Sequence, residues 1–181
     1  MSLLNNTTVM SLDDFLGKTI ADFCSNGYTD TTDNHCAHFV CHALNLSFGM
    51  TCGQLVSASQ RKNTGANVRV HELFARCPRV EELRQCPTVG SALIFVSEQR
   101  NFRGTPVELR NVPKKHVGIL MNGRVWHYSN TQDKVVVQPA SLFLFHYSGQ
   151  QNALWIGELP PESMGAGLSC RAPLAAPFPG L

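Results

Sequence analysis

Apolar residues recur at helical spacing in the first half of the chain. A capping box over residues 11–14 predicts the start of a first helix that ends near Gly27. A second helix is predicted over about 35–46, because its apolar residues fall on one face. Shorter helices are predicted over 70–76 and 80–85, so the N-terminal half is expected to be mainly helical.

The second half of the chain changes to patterns that are typical of strands. Residues 92–96 form a continuous apolar run, which indicates a buried strand. Residues 115–121 and 124–129 are predicted to form a hairpin, because the dipeptide Asn122-Gly123 favours a two-residue type I′ turn. Further strands are predicted over 134–138 and 154–156.

This order of elements predicts an α+β fold. N-terminal helices are expected to pack on one face of an antiparallel sheet of about five strands. One domain is predicted over residues 1–160. Residues 161–181 are rich in Pro, Gly and Ala, and they are predicted to form a flexible tail.

Charge and hydropathy argue against two classes of partner. The net charge of +2 is too small to favour nucleic acid. No apolar run approaches the roughly 18 residues of a membrane span. The first ten residues lack Lys, Arg and an apolar run, so no secretory signal is predicted. The chain is expected to stay in the cytoplasm or to be exported by another route.

The seven cysteines do not follow a metal-ribbon or disulfide-scaffold pattern. Their number is odd, and none of them forms a C-x-x-C pair. A chain of 181 residues builds a core without disulfides, so at most one supporting bridge is expected. The sequence does not indicate which two cysteines such a bridge would join.

Cys36 is the cysteine with the surroundings of a nucleophile. It lies in the first turn of the second predicted helix, which Asp33 or Asn34 can cap. Free backbone N–H groups at a helix start stabilise a thiolate and lower its pKa. The same groups can bind the oxyanion of a tetrahedral intermediate. The plainer interpretation of Cys36 is a small buried core residue.

His116 and His127 are predicted to face each other across the hairpin. The two-residue turn pairs Met121 with Arg124 and Gly118 with His127. His116 and His127 then lie on one face as diagonal neighbours, with β-carbons roughly 6–7 Å apart. Gly118 leaves room between them. One imidazole can orient the other, as in a nucleophile–base–orienter triad.

Three blocks of the chain resemble the NlpC-type cell-wall peptidases. The segment His35-Cys-Ala-His-Phe-Val40 resembles their Asp-Cys-Ser-Gly-Phe-Val, and Val89-Gly-Ser-Ala-Leu-Ile-Phe95 resembles their Gly-Asp-Leu-Val-Phe-Phe strand. His116-Val-Gly-Ile119, followed by Asn-Gly and by Val125-Trp-His127, resembles their histidine hairpin. The blocks occur in the order of the family.

The resemblance implies a papain-like cysteine hydrolase that cleaves amide bonds in peptidoglycan stem peptides. It makes Cys36 the nucleophile, His116 the base and His127 the orienting residue, and it implies no metal and no cofactor. Tyr28, His35 and Ser91 are the implied substrate-binding residues. Because a secretory signal is not predicted, an antibacterial effector with an immunity protein as partner is a further expectation.

Other functions stay open on the sequence. Deamidation and acyl transfer begin with the same thiolate attack, and Cys-Ala-His-Phe-Val also resembles a segment of lecithin:retinol acyltransferase relatives. A zinc module is the alternative from another class, with His35, His38 and His42 on one helical face and Cys41 near them. A non-catalytic binding module is the last alternative.

Overall fold

The structure is a computed structural model, and it describes residues 10–84, 90–148, 151–165 and 168–169. The α-helices of the described residues are α1 (Cys36–Ala43), α2 (Val70–Arg76) and α3 (Ala140–Phe143). The strands are β1 (Met10–Ser11), β2 (Val80–Glu82), β3 (Ser91–Glu98), β4 (Phe102–Arg103), β5 (Glu108–Leu109), β6 (Lys115–Met121), β7 (Arg124–Ser129), β8 (Lys134–Pro139), β9 (Asn152–Gly157) and β10 (Leu168–Ser169).

A six-stranded antiparallel sheet forms the centre of this α+β fold. Its strand order is β2-β9-β3-β6-β7-β8. β9 pairs with β2 on one side and with β3 on the other, so the sheet is not a simple meander. The helix predicted over 80–85 is wrong, because residues 80–82 extend along the edge of β9 instead.

The predicted hairpin between β6 and β7 is confirmed in its bounds and in the three residue pairs next to the turn. Met121 pairs with Arg124 and Ile119 pairs with Trp126. Both turn residues have positive φ, 51° at Asn122 and 76° at Gly123, as a type I′ turn requires. The local signal of the Asn-Gly dipeptide is sufficient to set this register.

The two faces of the sheet carry different helices. α1 and α2 pack with Val117, Ile119 and Trp126 in the larger core. Side chains alternate along a strand, so Leu120 and Val125 project from the opposite face, where they pack against α3. The N-terminal helices α1 and α2 thus share one face, as predicted, and α3, which was not predicted, covers the other face.

The first predicted helix is replaced by two short 3₁₀ segments, Leu12–Phe15 and Ile20–Asp22. The predicted cap exists, because the Ser11 hydroxyl accepts the Asp13 N–H at 3.3 Å. The helix ends because Gly17 has a φ of 78° and donates its N–H to the Val135 carbonyl at 2.9 Å. Pairing with the edge of the sheet thus competes with helix propagation.

The packed domain continues beyond residue 160. Residues 161–165 form a 3₁₀ turn in which Ser163 is buried, and Glu162 forms an ion pair with Arg76. β10 pairs in parallel with β1. The predicted tail therefore starts too early at 161, and residues 170–181 lie outside the described residues. None of the helices in the described ranges is long and apolar enough to cross a membrane.

Candidate active site

Cys36 occupies the first position of α1, as predicted. The Asn34 side chain accepts the Cys36 N–H at 3.0 Å, and the Asn130 side chain accepts the His35 N–H at 3.0 Å. These two amides fix the start of the helix beside the end of β7. Of the two residues that the sequence offered, Asn34 makes this bond, from the position before the N-cap residue His35. The Cys36 side chain is only 1% exposed.

Burial controls the ionisation of Cys36. It raises the pKa of the thiol to about 12, against the smaller effects of N–H groups from Val117 and Ala37 and of the Lys115 charge, which lower it. The expected fall of the thiol pKa at the helix start is therefore wrong for this buried state. At neutral pH the sulfur is a thiol, and a base must remove its proton before it can attack.

His116 and His127 form the predicted pair. Nε2 of His116 and Nδ1 of His127 are 2.9 Å apart, and both rings are buried. Gly118 makes this approach feasible, because a β-carbon there would lie 3.2 Å from Cβ of His127 and 2.5 Å from Val125. Sequence alternation and turn type were sufficient to predict this contact.

The buried pair is uncharged at neutral pH. Burial lowers the pKa of His116 well below its usual value, and it lowers the pKa of His127 to about 4. Nδ1 of His116 and Nε2 of His127 are buried and have no hydrogen-bond partner in the described residues. When His116 donates from Nε2, its Nδ1 carries a lone pair and can accept a proton.

Sequence reasoning missed the residues that cover this pair. The His146 ring stacks on His116 with centroids 3.8 Å apart, and Phe143 contacts both histidines. Tyr147 packs against His146, and the pKa of its phenol is raised by burial and then by Cys36. Phe143 ends α3, and His146 and Tyr147 follow it in an irregular segment without periodicity, so the sequence carries no signal for them.

Cys36 and His116 reach β6 from different sides. α1 packs on the face of Val117, whereas His116 projects with Leu120 to the face of α3. The sulfur nevertheless lies near the strand, close enough for the Val117 N–H to lower the pKa of the thiol. In the described residues no hydrogen bond joins Sγ to the His116 ring. Proton transfer therefore requires the two groups to approach each other beside Val117.

Of the three residues predicted to bind substrate, Tyr28 and His35 lie together and Ser91 lies elsewhere. Tyr28 is half-buried and its ring lies 5.4 Å from the His35 ring, between centroids. His35 is fully buried, and both of its ring nitrogens are hydrogen-bonded within the protein. Ser91 pairs with Met121, whereas Val96 pairs with His116. The intervening strand spans roughly 17 Å, so we leave Ser91 out of the candidate site.

A basic cleft adjoins the start of α1. Its cavity of about 280 Å³ is lined by Asn34 and by the cationic side chains of Arg69, Lys114 and Lys115, with His71 among them. The described residues of its lining include no Asp or Glu. Asn34 also accepts the Cys36 N–H, so a ligand in this cleft lies next to the start of α1. The His116 side chain projects from the other face of β6. An anionic ligand is favoured there.

Two clusters have the composition of a metal site. His116, His127 and His146 form one, and their nitrogens lie within 4.8 Å of one another. The other consists of Cys24, His38, His42 and Cys52, whose ligand atoms meet the same limit. His35 and Cys41, which the sequence analysis placed in a zinc module, belong to neither.

Comparisons with known proteins do not identify this site. No family model, no curated protein and no solved structure matches the chain.

Proposed function

We propose that the protein is a cysteine hydrolase that cleaves an amide bond, with Cys36 as nucleophile, His116 as base and His127 as the positioning residue. The observation that carries the proposal is the 2.9 Å contact between the two imidazoles of His116 and His127. This contact supplies a base and its orienting group on one face of β6, and Cys36 lies on the other face, near the Val117 N–H. The proposed thiol catalysis therefore requires a movement that brings Sγ to His116.

The proposed reaction begins with proton transfer from Cys36 to Nδ1 of His116. Sγ then attacks the carbonyl carbon of the substrate, and the amide nitrogen leaves with the proton that His116 carries. A thioester remains on Cys36, and water hydrolyses it with His116 again as base. His127 accepts the Nε2–H of His116 throughout, which keeps Nδ1 directed to the reaction.

The oxyanion of this reaction needs donors that are now engaged. The Cys36 N–H, which points out of the helix start, is bound by the Asn34 side chain. Substrate binding in the adjacent cleft would displace this side chain and release the amide for the oxyanion. Asn34 thus acts as a placeholder for the substrate carbonyl in the proposed mechanism.

A substrate reaches Cys36 only after a local movement, because the thiol is almost fully buried. The segment 143–147 covers the histidine pair, and its Phe145 is 72% exposed. Displacement of this segment would expose the histidine pair. Cys36 lies on the other face of β6, so its exposure would need a further movement, which would also reduce the burial that raises the thiol pKa.

The basic cleft supports an acidic peptide as substrate. Arg69, Lys114 and Lys115 surround a space next to Cys36. Peptidoglycan stem peptides carry free carboxylates and amide bonds, so they fit both the cleft and the chemistry. We therefore propose a peptidoglycan stem-peptide amidase, used as an antibacterial effector that an immunity protein neutralises in the producing cell.

Digestion of purified peptidoglycan tests this proposal. The full chain, the variant Cys36→Ala and the control variant Cys77→Ser are incubated with it, and the products are identified by mass spectrometry. Peptide fragments with new amine and carboxyl ends from wild type and Cys77→Ser, but not from Cys36→Ala, support amide hydrolysis. Uncut but deamidated peptides would replace hydrolysis with deamidation. Unchanged peptidoglycan with all three proteins would reject this substrate.

Expression in the periplasm of a test bacterium examines the proposed biological role. Lysis is expected with the wild-type chain and not with Cys36→Ala. Equal growth with both forms, at equal protein levels, would reject the role as an effector.

A further inference from the structure

We propose that Cys24, His38, His42 and Cys52 form a binding site for a zinc ion. Their ligand atoms all lie within 4.8 Å of one another, in a cluster apart from the candidate active site. His38 and His42 are four residues apart on α1, so they project from the same face of the helix. Cys24 follows the 3₁₀ turn Ile20–Asp22, and Cys52 begins another 3₁₀ turn.

The separations between the donor atoms match tetrahedral coordination. The two sulfurs are 3.8 Å apart, and Nε2 of His38 is 3.1 Å from Nε2 of His42. Zinc bonds of 2.3 Å to sulfur and 2.0 Å to nitrogen imply about 3.8 Å between sulfurs and about 3.3 Å between nitrogens in a tetrahedron. Two of the six separations thus match a tetrahedral zinc site closely, and the other four are at most 4.8 Å.

Hydrogen bonds outside the cluster select the tautomer that binds a metal. Nε2 of His35 is 2.8 Å from the Asp30 carbonyl oxygen, which only accepts, so this nitrogen carries the proton. Nδ1 of a neutral His35 is then an acceptor, and Nδ1 of His38, at 3.1 Å, must donate to it. This leaves Nε2 of a neutral His38 without a proton, directed to His42 and Cys52. Such an orienting partner is typical of metal-binding histidines.

Hydrogen-bond donors lie close to Sγ of Cys52, as they do around thiolate ligands of metal ions. The Ala66 N–H and the Asn26 side-chain amide each lie 3.4 Å from Sγ of Cys52 as donors. A β-carbon at Gly65 would lie only 2.4 Å from this sulfur, so the loop is shaped around it. Neighbouring N–H groups stabilise the negative charge that a thiolate retains when it binds a cation.

The ion would join three separate segments of the chain. It would bond the loop of Cys24 and the turn of Cys52 to α1, a helix of eight residues. Four protein ligands leave no open position, which is the pattern of a structural rather than a catalytic zinc. His42 lines a surface cavity of about 390 Å³, which gives the ion a path to the cluster. Because α1 carries Cys36, the ion would also fix the position of the candidate nucleophile.

Metal analysis of the full chain, purified under reducing conditions without chelator, tests the site. One zinc per chain is expected in the wild type, and less than one tenth of this in Cys52→Ser and His38→Gln. Cys77→Ser is the matched cysteine control and should retain the full content. His146→Gln is the control for the other histidine cluster and should also retain it.

Cobalt replacement gives a measurement that needs no variant to fold. Co²⁺ bound to two thiolates and two imidazoles is expected to show intense visible bands of tetrahedral cobalt and a thiolate-to-metal charge-transfer band in the ultraviolet. Absence of the charge-transfer band would overturn the proposal, since the three-histidine cluster contains no sulfur. Loss of zinc in His146→Gln alone would overturn it as well, as would a Cys24–Cys52 disulfide that persists in metal-free protein purified under reducing conditions. None of these readouts depends on enzymatic activity.

Discussion

The substitution Gly118→Ala tests the close packing that brings the two hairpin histidines together. The added β-carbon would lie 2.5 Å from Cγ1 of Val125, 2.9 Å from the Trp126 carbonyl oxygen and 3.2 Å from Cβ of His127. The Val125 side chain can rotate, but the backbone oxygen moves only if β6 and β7 separate. Overpacking of this kind costs typically 1–3 kcal/mol, and the lower entropy of the unfolded alanine chain offsets about 0.4–1 kcal/mol.

We therefore expect Gly118→Ala to lower the free energy of unfolding by about 1–2 kcal/mol. Urea unfolding followed by tryptophan fluorescence measures this change, because Trp126 is buried in the same strand pair. Ser91→Ala is the control at the exposed far end of β3, and it should stay within about 0.5 kcal/mol of wild type. Hydrolysis by Gly118→Ala should fall as well, because His127 must shift. Wild-type stability in this variant would refute the packing argument.

Three further predictions concern pH, the helix cap and the cleft. The pKa of His127 is about 4 in the folded protein and about 6.5 unfolded, so the unfolded chain binds more protons between these values. The stability that this residue contributes is fully present above pH 6.5 and is lost toward pH 4, by up to about 3 kcal/mol. Urea unfolding at pH 7 and pH 5 measures the loss. An equal decrease of the unfolding free energy between these two pH values in His127→Gln would contradict the prediction. Asn34→Ala removes the cap on Cys36 and should cost about 1 kcal/mol in thermal or urea unfolding, whereas an unchanged stability would show that the cap contributes nothing. Lys115→Gln should raise the KM for an acidic peptide about two- to fivefold, as expected for one partly exposed charge worth ~0.5–1 kcal/mol, with an unchanged KM speaking against an acidic substrate.

Local signals account for the parts of the fold that the sequence predicted. The Asn122-Gly123 turn and the alternation around it set the β6–β7 register, and with it the contact of His116 with His127. Helix α2 has the predicted bounds, residues 70–76, and α1 ends three residues before the predicted helix does. In each case the information lies within a few neighbouring residues.

Long-range contacts account for the parts that it did not. Residues 80–82 become a strand only because β9 offers an edge more than seventy residues later in the chain. The first helix stops because Gly17 pairs with Val135, and His146 reaches His116 from an irregular segment. No periodicity encodes such pairings.

The cluster of Cys24, His38, His42 and Cys52 could be predicted only in part from local signals. The spacing of His38 and His42 was visible on the predicted helix, but the sequence analysis grouped them with His35 and Cys41. The cysteines that complete the cluster, Cys24 and Cys52, come from separate loops, and only the fold brings them together.

Trapping the covalent intermediate tests whether Cys36 is the nucleophile. The full chain is mixed with an acidic peptide amide substrate and quenched in acid, and the mass of each tryptic peptide is measured. We expect an acyl group in thioester linkage on Cys36, and its loss in His116→Ala with the fold retained. An acyl group on a different residue, or turnover by Cys36→Ala, would show that Cys36 is not the nucleophile.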